Sequence, residues 1–168
     1  MSKKVGILLG SDSDLPVVER AFEVLRSLDV PFEAHIYSAH RTPLEAAEFS
    51  ASARERGFGV LIAAAGMAAH LAGAVAANTT LPVIGIPCKS SVLDGLDALL
   101  STVQMPSGIP VATVAIGGAA NAALLACEML AITDKALAAR LAARREVDRQ
   151  KVLEKDAALA ARLAEAQD

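Results

Sequence analysis

His40 and Arg41 stand next to each other and are the strongest candidates for chemistry in this sequence. A histidine side chain gains or loses a proton near neutral pH, and an arginine guanidinium binds a phosphate or carboxylate through a planar fork of donors. Both residues lie in the run SAHRTP at positions 38–43, where an extended segment is expected to turn into a helix. The run therefore predicts proton transfer beside an anchored anionic substrate.

Two further polar segments occupy equivalent places in the chain. The run GSDSD at 10–14 follows the first apolar run, and AGMAAH at 65–70 follows the third. The hydroxyls of Ser11 and Ser13, with the N–H groups of a helix start, are suited to a phosphate, and Asp14 is suited to ribose hydroxyls. Ser13 or Asp14 is equally suited to capping the following helix, so both interpretations stay open. The segment matches neither a Walker loop nor the GxGxxG dinucleotide fingerprint.

The other histidines and the cysteines have structural interpretations. His35 lies within an alternating strand, where a lone histidine is more often structural than catalytic. His70 lies in an alanine-rich segment, so a structural or substrate-lining role ranks ahead of catalysis. Cys88 and Cys127 belong to no CxxC or Cys/His pattern, which indicates free buried thiols rather than a disulfide or a zinc site. No metal site is predicted.

Short apolar runs that alternate with helical patterns predict the elements that position these residues. Repeated strand–helix units imply right-handed crossovers, so the fold class is α/β, a three-layer α/β/α sandwich with a five-stranded parallel flavodoxin-like sheet. In strand order 2-1-3-4-5, the three polar segments follow neighbouring strands and converge on one crevice. One intervening helix is expected to begin with a capping box at Thr42–Glu45, and another to span about Ala68–Asn78. The five strands are expected at Val5–Leu9, Phe32–Ile36, Val60–Ala65, Val83–Ile86 and Val111–Ile116.

The segment from Thr133 to Asp168 contains no glycine or proline and predicts one long C-terminal helix or two consecutive helices. At about 1.5 Å per residue it would reach roughly 50 Å, farther than a compact domain of this length. It is either a solvated charged tail or an arm that packs on another subunit, and its apolar positions favour the arm. We expect residues 1–133 to form the catalytic domain and residues 134–168 a helical arm of that domain. The apolar positions are Leu137, Leu141, Leu153 and Leu163.

The composition excludes several classes of protein. The chain has 168 residues, of which 54% are hydrophobic and 3% aromatic, and this suits one domain with an aliphatic core. A net charge of −3 argues against nucleic acid as the main partner. No apolar run is long enough to span a membrane, and the first one is too short for a signal peptide, so a cytoplasmic location is expected.

Together these motifs resemble the N5-carboxyaminoimidazole ribonucleotide mutase family of purine biosynthesis. The resemblance implies a homo-octameric α/β/α enzyme with active sites at subunit boundaries, a small ribonucleotide substrate and no metal or organic cofactor. The implied reaction moves a carboxylate from the exocyclic nitrogen of an aminoimidazole ribonucleotide to ring carbon C4. The motifs lie within about Val5–Asp134 and are GSDSD at 10–14, SAHRTP at 38–43, AAHL at 68–71, STVQMPSGIPV at 101–111 and NAALLA at 121–126.

The resemblance also implies roles for individual residues. His40 would be the general acid and base, because departure of the carboxylate from nitrogen needs a proton and rearomatisation after attack at C4 releases one. The 5′-phosphate would be bound by Ser11, Ser13 and Arg41, and the ribose by Asp14. Ser38 with His40 would bind the migrating carboxylate. The implied substrate-binding set is Ser11, Ser13, Asp14, Ser38, Ala39, Arg41, Gly66, Ala68, Ala69, His70 and Leu71, of which the last five would line the base.

The sequence departs from the family pattern at three places and leaves two other functions open. Met67 stands where the family usually has a second glycine, Ala72 stands where proline is usual, and the segment at 116–121 is short. One alternative is a carboxylase of the same fold that uses free CO2, although that branch typically has lysine where this chain has Arg41. The other is a non-catalytic flavodoxin-like nucleotide-binding module.

Overall fold

Five parallel strands form the central sheet of the computed structural model, which describes residues 3–91 and 93–165. The strands are β1 (Lys4–Leu9), β2 (Phe32–Ile36), β3 (Phe58–Ala65), β4 (Val83–Pro87) and β5 (Ala112–Thr113). They are hydrogen-bonded in the order β2-β1-β3-β4-β5, and every neighbouring pair is parallel. The predicted flavodoxin-like sheet is therefore confirmed, and its strand order reverses between β1 and β3.

Helices cover both faces of this sheet. They are α1 (Leu15–Ser27), α2 (Pro43–Ser52), α3 (Leu71–Ala77), α4 (Leu96–Val103), α5 (Ala119–Ala131) and α6 (Lys135–Glu165). Successive strand residues point to opposite faces, so Ile7 packs with α1 and α5 while its neighbour Leu8 packs with α2 and α3. Two aliphatic cores result, one on each side of the sheet, and they hold the strand ends rigidly in place.

Two predicted boundaries and one predicted cap are wrong, each for a local reason. The fifth strand pairs over two residues instead of six, because the chain turns where Gly118 donates its N–H to the carbonyl of Ala115. The third helix begins at Leu71 rather than near Ala68, because Met67 has a φ of +52° that cannot continue a helix. The capping box expected at Thr42–Glu45 is absent, since the Thr42 hydroxyl instead accepts the N–H of Ser38 at 2.7 Å.

The C-terminal segment forms one continuous helix over the 31 residues of α6, which corresponds to roughly 46 Å. Its first turns belong to the domain itself: Leu137 and Leu141 are buried in the core beside α5, so their predicted packing on another subunit is wrong. Farther along, Leu153 and Leu163 are 45% and 53% exposed. The last three residues of the predicted helix, 166–168, lie outside the described residues.

Candidate active site

Four loops at the carboxyl ends of β1 to β4 surround a cavity of about 680 Å³. The three predicted polar segments line it, as the rule for ligand sites in open parallel sheets leads us to expect. Of the predicted site residues, Ala69 alone does not line the cavity. The loop after β4 was not foreseen, although its place at a strand end was the available sign. The lining residues absent from the predicted set are Gly10, Ala65, Met67, Lys89, Ser90 and Ser91.

The loop after β1 presents two serine hydroxyls that are held by the loop's own hydrogen bonds. Ser13 donates its hydroxyl to the Ser11 hydroxyl at 3.0 Å, and its N–H to the same oxygen at 3.3 Å. The Ser11 N–H in turn donates to Asp14 Oδ2 at 3.1 Å, which completes a capping box. This capping box begins a short 3-10 turn at Asp12–Asp14, whereas α1 has Asp14 at its N-cap without a side-chain hydrogen bond. The predicted capping of α1 by Ser13 or Asp14 is therefore wrong, and the two serine hydroxyls line the cavity.

Asp14 is buried beneath this loop. Burial raises the pKa of its carboxyl above the usual range, and hydrogen bonds from the Cys88 thiol and the Ser11 N–H oppose that rise. Burial of the Cys88 thiol, together with the neighbouring Asp14 carboxylate, raises the pKa of that thiol to about 12. Cys88 is therefore a neutral thiol that donates to Asp14, so it is not a nucleophile at physiological pH.

The loop after β2 is organised by Ser38, whose hydroxyl accepts the N–H groups of His40 and Arg41 at 3.4 and 3.3 Å. This turn points Arg41 towards the first loop, where its Nη2 donates to the carbonyl oxygen of Gly10 at 3.4 Å. The guanidinium consequently lies close to the loop that carries the Ser11 and Ser13 hydroxyls. Arginine, hydroxyls and loop N–H groups together match the requirements of a phosphate.

His40 and His70 meet in the cavity although 30 positions separate them in the chain. His40 Nε2 and His70 Nδ1 are 2.9 Å apart, and the rings cross at 75°. One of these nitrogens carries the proton and the other accepts it. His70, which we expected to be structural or substrate-lining, thus lines the cavity and also contacts the proposed acid–base group directly.

Of the other residues predicted to be structural, His35 and Cys127 are not part of the cavity lining, and Cys88 lies behind it against Asp14. His35 Nε2 is 2.9 Å from Glu33 Oε1, and its ring stacks on Tyr37 with centroids 4.9 Å apart, which confirms a structural role. Cys88 and Cys127 are both free and buried, as predicted. Within residues 3–91 and 93–165, no group of three or more His, Cys, Asp or Glu side chains is placed to hold a metal ion. The helices described there include none that is long and apolar enough to cross a membrane.

Known proteins are similar to this chain in sequence and in fold. The N5-carboxyaminoimidazole ribonucleotide mutase of Bacillus subtilis is 53% identical over 156 residues, which are 92% of this chain and 96% of that protein. The phosphoribosylaminoimidazole carboxylase of Saccharomyces cerevisiae is 56% identical over 82% of this chain and 24% of its own length. A crystal structure of Treponema denticola PurE superimposes with a TM-score of 0.83 at 30% identity, covering 92% of this chain and 97% of that one. Because the AIR carboxylase family profile also matches residues 4–151, this chain belongs to the AIR carboxylase family.

Proposed function

We infer that this chain is an N5-carboxyaminoimidazole ribonucleotide mutase, an enzyme of purine biosynthesis. The observation that carries the inference is the placement of His40 on the cavity wall, beside Arg41 and hydrogen-bonded to His70. Loss of CO2 from the carbamate nitrogen requires a proton on that nitrogen, and attack of C4 on CO2 is followed by loss of the C4 proton. A single imidazole that donates first and accepts later returns to its starting state after each turnover.

The phosphate end of the substrate lies at the loops after β1 and β2 in this proposal. Ser11 and Ser13 offer hydroxyls, and the Arg41 guanidinium already reaches the same loop through the Gly10 carbonyl. A phosphate would replace that weak 3.4 Å contact with charge-assisted hydrogen bonds, which are roughly twice as strong as neutral ones. Anchoring there directs the sugar past Asp14 and the base towards the loop after β3.

The base end of the substrate is bounded by the loop after β3. Gly66, Ala68 and Leu71 line this part of the cavity with small or apolar groups, and His70 adds a ring nitrogen. On the opposite wall, Ser38 and Ala39 flank His40, where the migrating carboxylate is proposed to lie. The proton carrier, the carboxylate and the base are thereby brought into one small space.

The fate of CO2 distinguishes the mutase from the carboxylase alternative. A CO2 molecule held beside C4 has an effective concentration that can reach about 10⁵ M in a well-aligned site, far above that of dissolved gas. The mutase should therefore convert the carbamate without added bicarbonate, and labelled bicarbonate should scarcely enter the product during the first turnovers. Rapid incorporation of label, or efficient carboxylation of the bare aminoimidazole ribonucleotide, would instead identify a carboxylase like the one named for the yeast relative.

A homo-octamer in the cytoplasm completes the proposal. Helix α4 exposes about half of Leu96, Leu100 and Val103, which share one helix face, and α6 exposes Leu153 beyond the domain. Neighbouring subunits would cover these apolar stripes and close the cavity against water, which retention of CO2 requires. A non-catalytic nucleotide-binding module is the competing proposal, and turnover in the bicarbonate experiment would exclude it.

A further inference from the structure

Lys89 is a second cation on the wall of the cavity. Among the described residues that line the cavity, Arg41 and Lys89 carry the permanent positive charges. Arg41 follows β2 and Lys89 follows β4, and these strands are separated by β1 and β3. Three spacings of about 4.8 Å put the two strand ends roughly 14 Å apart. The two cations therefore serve opposite ends of the crevice.

The backbone at Lys89 is held in a defined position. The preceding residue, Cys88, donates its N–H to the carbonyl of Ala65 at 2.8 Å, which ties this loop to the end of β3. Gly95, with a φ of +94°, packs so closely that a Cβ there would lie 3.1 Å from the Lys89 Cα. Ser90 adds a hydrogen bond from its hydroxyl to the Asp97 carboxylate at 3.3 Å. The loop thus presents the lysine side chain from a fixed base.

The present partner of Lys89 is easily replaced. Its Nζ lies 2.9 Å from Asp94 Oδ1, and the two side chains are 68% and 83% exposed. Ion pairs as exposed as this contribute little stability, because water screens the attraction and both side chains lose freedom. A carboxylate bound inside the cavity, where less water competes, is a stronger partner for the ammonium group.

We propose that Lys89 is a substrate-binding residue that exchanges Asp94 for the carboxylate of the 4-carboxyaminoimidazole ribonucleotide. The identity of this anion rests on the proposed function. Arg41 accounts for the phosphate at the β1 and β2 loops. The His40 ring reaches across the cavity to His70 on the loop after β3, at 2.9 Å, so a carboxylate held beside that ring also faces the neighbouring loop after β4, which carries Lys89. Lys89 would thereby favour the carboxylated nucleotides over the bare aminoimidazole ribonucleotide.

Calorimetric titration of the full-length chain with two nucleotides tests this role. Lys89→Met should weaken binding of 4-carboxyaminoimidazole ribonucleotide about tenfold and change binding of the bare aminoimidazole ribonucleotide less than twofold. Lys89→Arg should retain most of the affinity, because the charge is kept. Asp94→Asn should tighten binding of the carboxylated nucleotide two- to threefold, since it releases the lysine. Lys151→Met removes an equal charge from an exposed ion pair on α6 and serves as the matched control.

The outcomes separate this inference from the proposed function. If Lys89→Met weakens the binding of both nucleotides equally, the lysine belongs to the phosphate site and the inference is overturned. An effect no larger than that of Lys151→Met would also overturn it. Both results would leave the mutase proposal intact as long as the unsubstituted chain binds and converts the carbamate. If the unsubstituted chain fails to do so, the proposed function itself is refuted.

Discussion

Replacing Met67 with glycine should give a more stable protein than replacing it with alanine, the reverse of the usual order. Met67 has a φ of +52° at the cavity rim, in the left-handed region that disfavours any residue with a Cβ. Its carbonyl accepts the N–H of Ala69 at 2.8 Å, which helps to maintain that turn. The side chain is 62% exposed, so little packing resists the conformational cost.

The expected difference follows from two opposing terms. The left-handed conformation costs a non-glycine residue roughly 1–2 kcal/mol, and alanine at this position retains that cost. Glycine removes it but loses more backbone freedom on folding, at about 0.5–1 kcal/mol. Both substitutions delete the same side-chain contacts, so packing cancels in the comparison. The glycine variant should therefore be more stable than the alanine variant by roughly 0.5–1 kcal/mol, or about 1–4 °C in melting temperature.

Thermal unfolding of both variants at one protein concentration measures this difference. Ala139→Gly, at an exposed position in the first turns of α6, is the control for the ordinary order, since glycine in a helix interior should lower stability by about 1 kcal/mol relative to alanine. If Met67→Ala melts at the same temperature as Met67→Gly or above it, Met67 does not hold a left-handed backbone. In that case the methionine carries no conformational cost, and no functional advantage at the cavity is needed to offset one.

Three further perturbations test the site, the sheet edge and the assembly. His40→Asn should reduce turnover at least ~100-fold while nucleotide binding persists, and activity within about tenfold of the unsubstituted chain would remove His40 from acid–base catalysis. Glu33 has its pKa lowered to about 2, chiefly by the hydrogen bond with His35 and also by contacts with Lys4 and Arg56. Its stabilising effect is therefore full above pH ~4.5 and is lost as the pH falls towards 2. In urea unfolding, Glu33→Gln should be less stable than the unsubstituted chain at pH 7 and have the same free energy of unfolding near pH 2. Ending the chain after Arg145 keeps Leu137 and Leu141 in the core but removes the exposed part of α6. Light scattering should then detect smaller species or precipitation. An unchanged mass would show that this part of α6 has no role in assembly.

Local patterns in the sequence were sufficient for the architecture and for most of the cavity wall. The periodicity of apolar residues placed β1 to β4 within a few residues, because buried strands and amphipathic helices impose different spacings. Parallel strands joined by crossover helices must end at one edge of the sheet, so the loops at 10–14, 38–43 and 65–70 could be assigned to one crevice in advance. The family resemblance then supplied the residue roles.

Contacts between distant positions were decided only by the tertiary structure. The hydrogen bond of His40 with His70 joins residues on different loops, and the contact of Asp14 with Cys88 depends on how β4 lies relative to β1. Lys89 belongs to no motif and enters the cavity because its strand occupies that place in the sheet. Such distances depend on strand order and on packing in three dimensions. Periodicity along one segment does not encode them, because each periodic pattern describes only which face of its own element is buried.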